Sequence, residues 1–220
     1  MRWLVIAVLL SACGAPAATP AATLASAPAP SASVAATLPF GAIRFAAAPK
    51  SQVTVRVQEH LAVNTINTDA VLVTDGVTGT LTLLPDGTFT PDSKITVDMT
   101  KLKSDQDLRD TWIRLFGIET NKFKDASFVP RKAVGLPSPL PATGTWPFGI
   151  DGDLTIHGVT KPATWSGTAT RNGPDLNATA KLSTTWADWN VGKPQAAVTQ
   201  VVSVSDEIRL EITFVGTQNN

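Results

Sequence analysis

The sequence predicts a mainly β protein with roughly eight antiparallel strands and one short amphipathic helix. Three observations carry this. Apolar and polar residues alternate in run after run between Ile43 and Phe214. Turn-forming residues separate the runs, and the 220-residue chain holds 15 Gly and 16 Pro, the usage of a fold with many turns. One segment alone changes from period two to helical period. A chain of this length can bury a full core.

In "SQVTVRVQ", Val53, Val55 and Val57 point one way and Gln52, Thr54 and Arg56 the other, because successive strand side chains alternate between faces. "GTLTLLPDGTFT" places Leu81 and Leu83 on one face, turns at Pro85-Asp86-Gly87, and resumes with Phe89. "SKITVDMTKL" repeats the pattern with Ile95, Val97 and Met99. "GDLTIHG" carries Leu154 and Ile156, and "EIRLEITFVG" carries Ile208, Leu210, Ile212 and Phe214. Turn signals fall at Val159-Thr160-Lys161-Pro162 and Arg171-Asn172-Gly173-Pro174.

The exception is "SDQDLRDTWIRLFGIET". Leu108, Trp112, Leu115 and Phe116 recur at i, i+4, i+7 and i+8, the stripe of an amphipathic helix. Ser104 with Asp107 reads as its N-cap pair and Gly117 as its stop. The stripe is expected to face the strands or a cavity between them. Eight strands and a helix leave a sandwich or a closed barrel, and a closed eight-stranded barrel has an interior able to hold one small ligand.

The N-terminus stands apart. Arg2, an apolar run from Trp3 to Leu10 and small residues after it read as a secretory signal over residues 1–12, too short to span a bilayer. Leu10-Ser11-Ala12-Cys13 resembles the lipobox of bacterial lipoproteins, which implies a membrane anchor on a lipidated Cys13. Cys13 is the chain's only cysteine, so no intrachain disulfide forms. Residues 13–39 read as a tether of Ala, Pro, Thr and Ser without charge, which as a flexible coil reaches roughly 25–30 Å. The folded domain is assigned to residues 40–220.

The 18 basic and 18 acidic residues balance, so the chain offers no long-range attraction to nucleic acid. No Gly-x-Ser-x-Gly elbow, phosphate-binding Gly loop or His-Glu-x-x-His occurs. With His60 and His157 the only histidines, no metal site or cofactor is expected. His157 reads as a hairpin residue that hydrogen-bonds near the turn.

Several segments together resemble the YceI-like family of lipid-binding proteins. "GDLTIHGVTKPATW" is similar to its Leu-Thr-Ile-His-Gly-Val-Thr-Lys-Pro signature. "LKSDQDLRDTWIRLFGIETNKFKDASFVP" is similar to a segment with an Arg-Asp pair, here Arg109-Asp110, followed by a short helix, and here by Phe123, Phe128 and Pro130. "VSVSDEIRLEITFVG" is similar to the closing strand. The likeness runs over residues 41–217. Trp112 stands where the family usually has His, and Asp188-Trp189-Asn190-Val191-Gly192 replaces an Asp-Phe-Gly-like step, both bearing on head-group preference.

The resemblance implies an antiparallel eight-stranded lipocalin-like barrel that encloses an isoprenoid lipid, a quinone or polyprenyl tail, outside the cytoplasm. Inward positions expected to touch it are Val55, Val57, Leu81, Leu83, Ile95, Val97, Ile156, Leu210 and Ile212. The helix and the segment after it would add Leu108, Trp112, Leu115, Phe116 and Phe123. Arg109 and Asp110 are candidates for the polar head group, or else an ion pair that orients the helix. Trp186 and Trp189 are assigned to the rim or the core. Two other readings stay open: a tethered adhesion or assembly module whose barrel is filled with side chains, and an enzyme acting on an isoprenoid lipid. A second copy of the chain is a further candidate partner.

Overall fold

A computed structural model describes residues 38–62, 66–194 and 201–219. The signal segment, Cys13 and nearly all of the tether lie outside the described residues. Ten strands form one sheet: β1 (Ile43–Ala47), β2 (Gln52–Leu61), β3 (Thr68–Thr74), β4 (Val77–Leu83), β5 (Lys94–Asp98), β6 (Asp125–Val134), β7 (Thr143–Ile156), β8 (Val159–Asn172), β9 (Asp175–Thr185) and β10 (Val201–Asn219). Between β5 and β6 lie α1 (Asp107–Trp112) and a π turn, Ile113–Gly117.

The ten strands make eight staves. β10 pairs with β2 through residues 201–213 and with β1 through residues 216–219, so β1 and β2 are one stave interrupted at residues 48–51. Pro49 and the positive φ of Lys50 fall in that interruption, and Ser51 repairs it by exchanging hydrogen bonds with Val215 (3.0 and 3.1 Å). β3 and β4 are likewise one stave broken at Asp75-Gly76, since β3 pairs with β2 and β4 with β1. A Cβ on Gly76 would stand 2.7 Å from that of Asp98, so the corner admits no side chain there. Each stave pairs antiparallel with its chain neighbour, and the first meets the last. The result is a closed up-and-down barrel, which leaves the main circuit without an edge.

Period-two reading holds along the staves. Phe45, Val57, Leu72, Ile95, Val97, Leu154, Trp165, Leu210 and Phe214 are all buried. The turn expected at residues 159–162 is instead at His157-Gly158, and residues 159–162 belong to β8. Ile156 pairs with Val159, and the two central residues have φ of +51° and +73°, as a type I′ hairpin demands. Gly158 also lies against Phe123, where a Cβ would sit 2.7 Å from the ring. The turn at Gly173-Pro174 falls where expected.

The helix is present but turned over. Leu108, Leu115 and Phe116 are 69%, 48% and 65% exposed, while Asp110 and Ile113 are buried. Polar anchors decide the orientation. Asp110 Oδ1 accepts from the Ser104 backbone N–H (2.8 Å) and hydroxyl (2.7 Å), pulling Asp110 inward. Ile113 and Gly117 follow three and seven residues later on that inner side. Ser104 therefore serves as the donor to Asp110 and not as the N-cap, which is Gln106. Gly117 ends the π turn as expected.

Candidate binding cavity

The barrel interior holds a cavity of about 150 Å³. Val55 from β2, Leu81 and Leu83 from β4, and Ile95 and Val97 from β5 line it. Ile156 from β7 and Leu210 and Ile212 from β10 complete the set that the alternation had pointed inward. Val57 is buried but does not line the cavity. Neither do Leu108, Trp112, Leu115, Phe116 or Phe123. The first, third and fourth of these point to solvent, and Trp112 packs half-buried against the core. Phe123 meets the His157 ring edge-on, with 4.3 Å between centroids.

Other wall residues escaped the sequence reading: Phe45, Phe148, Ile150 and Trp165. Phe148 and Ile150 lie near the middle of β7, in a stretch where Gly144, Pro147 and Gly149 look like breakers. The register of β7 against β8, continuous from Thr143 to Ile156, shows that the sheet absorbs them. Small side chains make the space: Ala126, Ala169, Ala178 and Ala180 stand on the same wall. Among the residues lining the cavity Ser127 is the one with a hydroxyl, and none is titratable.

Arg109 and Asp110 do not pair with each other. Arg109 bonds Glu59 and Asp105, each at 2.6 Å, and neither Arg109 nor Asp110 lines the cavity. Their arrangement fits the helix-orienting alternative, through different partners. Asp110 Oδ2 is buried without a hydrogen-bond partner among the described residues.

His157 joins three segments. Nδ1 lies 3.1 Å from the Trp189 carbonyl and Nε2 lies 3.2 Å from Glu119 Oε2. Glu119 is held below the usual carboxylate range by Lys122 first and His157 second. Trp186 and Trp189 are core residues, and their indole N–H groups donate to the Ser205 carbonyl and the Thr184 hydroxyl, each at 2.9 Å. Between them Asp188 accepts from Lys161, Thr184 and Thr185. These bonds, Lys161 first, push its carboxyl far below the ordinary range. Among the described residues no three His, Cys, Asp or Glu side chains converge as metal ligands would.

At the other end of β8, Arg171 is 7% exposed and points inward. It donates to the carbonyls of Leu140, Pro141 and Gly173 and to Gln218, and covers the Phe45 ring at 5.5 Å. These bonds tie the β6–β7 loop, the β8–β9 turn and β10 together across that end.

A closed antiparallel barrel of eight staves around an apolar cavity defines a lipocalin-like protein. The model of the YceI-like domain matches residues 45–216, and the chain belongs to that family. A UPF0312 protein of Vibrio campbellii is 41% identical over 76 residues, 33% of this chain and 36% of that protein. The chain thus aligns with about a third of that relative. A polyisoprenoid-binding domain from Saccharophagus degradans, implicated in plant cell wall breakdown, has a similar fold: TM-score 0.61, 13% identity, over 80% of this chain and 98% of that one. BcnA of Burkholderia cenocepacia superimposes with a TM-score of 0.57 at 18% identity, over 76% and 97% of the two chains.

Proposed function

We propose that this protein holds the hydrocarbon tail of an isoprenoid or similar amphiphilic lipid, a quinone or polyprenyl tail, inside the barrel as its carrier, store or scavenger. The observation that carries the reading is a cavity walled by aliphatic and aromatic side chains and flanked by alanines. Each methylene moved there from water gains roughly 0.8 kcal/mol, so a tail needs few polar contacts. The name of the Saccharophagus domain, a polyisoprenoid-binding fold relative, supports the same ligand class. The adhesion-module reading calls for a barrel filled by its own side chains, which the cavity disfavours. With no titratable group on the wall, a bound tail meets no acid or base, which favours binding over catalysis.

The lipobox-like stretch ending at Cys13 supports an exported protein anchored at the cell envelope, with the membrane as a second partner. Mass spectrometry of an organic-solvent extract tests the ligand, using the chain purified from cells that make quinones and polyprenols. One isoprenoid lipid per chain is expected. An empty extract that stays empty after loading with quinone and polyprenol would overturn the reading. Intact-mass measurement of the membrane-fraction protein tests the anchor, with a diacylglyceryl adduct on Cys13 expected.

A further inference from the structure

Trp165 is 8% exposed and lines the cavity, yet among the described residues its indole N–H has no hydrogen-bond partner. A buried indole ordinarily finds an acceptor, and a buried donor left unpaired keeps its full desolvation penalty. Among the described residues the other buried tryptophans, Trp186 and Trp189, each have one. Packing alone accounts for Trp165 poorly, because a phenyl ring would fill a similar place without an orphaned donor.

We infer that the Trp165 N–H is the polar reading point of the cavity, donating to an uncharged oxygen, carbonyl, hydroxyl or ether, on the bound lipid. This rests on the lipid-binding reading and narrows it: the ligand carries such an oxygen at the depth of Trp165. An anionic group does not suit the site. Among the described residues no cation lines the cavity, and Arg171, which covers the Phe45 ring, directs four of its five N–H donors to Leu140, Pro141, Gly173 and Gln218. Burying an unpaired anion would cost far more than one hydrogen bond returns.

Access follows from the size of the cavity. About 150 Å³ suits a benzene-sized guest, so a long tail enters only as wall side chains shift. Two neighbours of Trp165 are themselves half-buried wall residues: Phe128, edge-to-face with 6.2 Å between ring centroids, and Ile150, its register partner on β7. For the N–H to reach the lipid, these two side chains must shift on loading and open the indole edge to the lumen.

A thermodynamic cycle tests this with the full chain, the Trp165→Phe variant, and two probes of equal length, hexadecane and 2-hexadecanone. The substitution is expected to weaken the ketone about tenfold more than the alkane, as losing one buried hydrogen bond predicts. In the wild-type chain, nitrogen-15 NMR should show the Trp165 indole N–H moving downfield with the ketone and staying in place with the alkane. Equal weakening of both probes together with an unmoved indole resonance would overturn the inference while leaving lipid binding intact. Failure of the wild-type chain to bind either probe would overturn both.

Discussion

The guanidinium of Arg109 on α1 stands 2.6 Å from the carboxylate of Glu59, fifty residues earlier on β2. Glu59 is buried within the barrel wall, and Arg109 has most of its own surface covered. The pair, with Asp110 drawn toward Ser104, fixes which side of the helix faces in. Removing one partner strands the other. Arg109→Ala should therefore cost about 3 kcal/mol, the low end for a broken buried pair because Arg109 keeps some solvent contact. Urea unfolding of the single variants and of a Glu59→Leu, Arg109→Leu double variant would check it. The double should be more stable than Arg109→Ala, and a single-variant loss below about 1 kcal/mol would contradict the argument.

The outward stripe of the helix gives the converse expectation. Leu108 and Phe116 are mostly exposed, so Leu108→Ser with Phe116→Ser should change stability by no more than about 0.5 kcal/mol per site. A loss of several kcal/mol in thermal unfolding would mean that this stripe is packed after all.

The cavity is space that a side chain can occupy. Ala178→Phe should fold normally and lose lipid, since its ring enters the lumen between its register partners Phe214 and Ala169. Circular dichroism and lipid extraction distinguish the outcomes: lipid retained at wild-type level would place the ligand elsewhere.

The β7–β8 turn is intolerant in a different way. Gly158→Ala puts a Cβ at positive φ and against Phe123, and should destabilise by about 2 kcal/mol, one part backbone and one part displaced ring. Urea midpoints measure it. A neutral result would show that the Phe123–His157 contact can give way freely.

Asp188 predicts an acid effect. Its folded carboxyl lies below the unfolded value, so its contribution is complete above the unfolded carboxylate range and is lost as pH falls through the folded one. Wild type should exceed Asp188→Asn in stability at pH 7, and the gap should close as the solution is acidified. A gap that is constant across that range would disconnect Asp188 from the charge on its partners.

Alternation made the staves legible because a sheet with one face inward repeats every two residues, as Val53, Val55 and Val57 do. It could not tell whether the inward face is filled, since Val55 and Val57 follow the same rule and only Val55 reaches the cavity. Glycine and proline hid the middle of β7. The helix stripe misled because apolar periodicity names a face without saying which polar anchor will outbid it. Glu59 and Arg109 are too far apart in sequence for spacing to join them. His157 gave no sign of its left-handed backbone, a conformation that histidine visits more readily than most side chains but that no period reveals.

The bond between Ser51 and Val215 spans 164 positions, and β10 is the partner of β1, β2 and β9 alike. Closure is thus deferred in time: the first stave waits, unpaired on that side, until the last has emerged. Such distant pairing makes for slow folding. A chain that cannot finish before its final strand is made stays threadable for as long as it is being synthesised, and trimming the last strand should leave an open sheet in place of a smaller barrel.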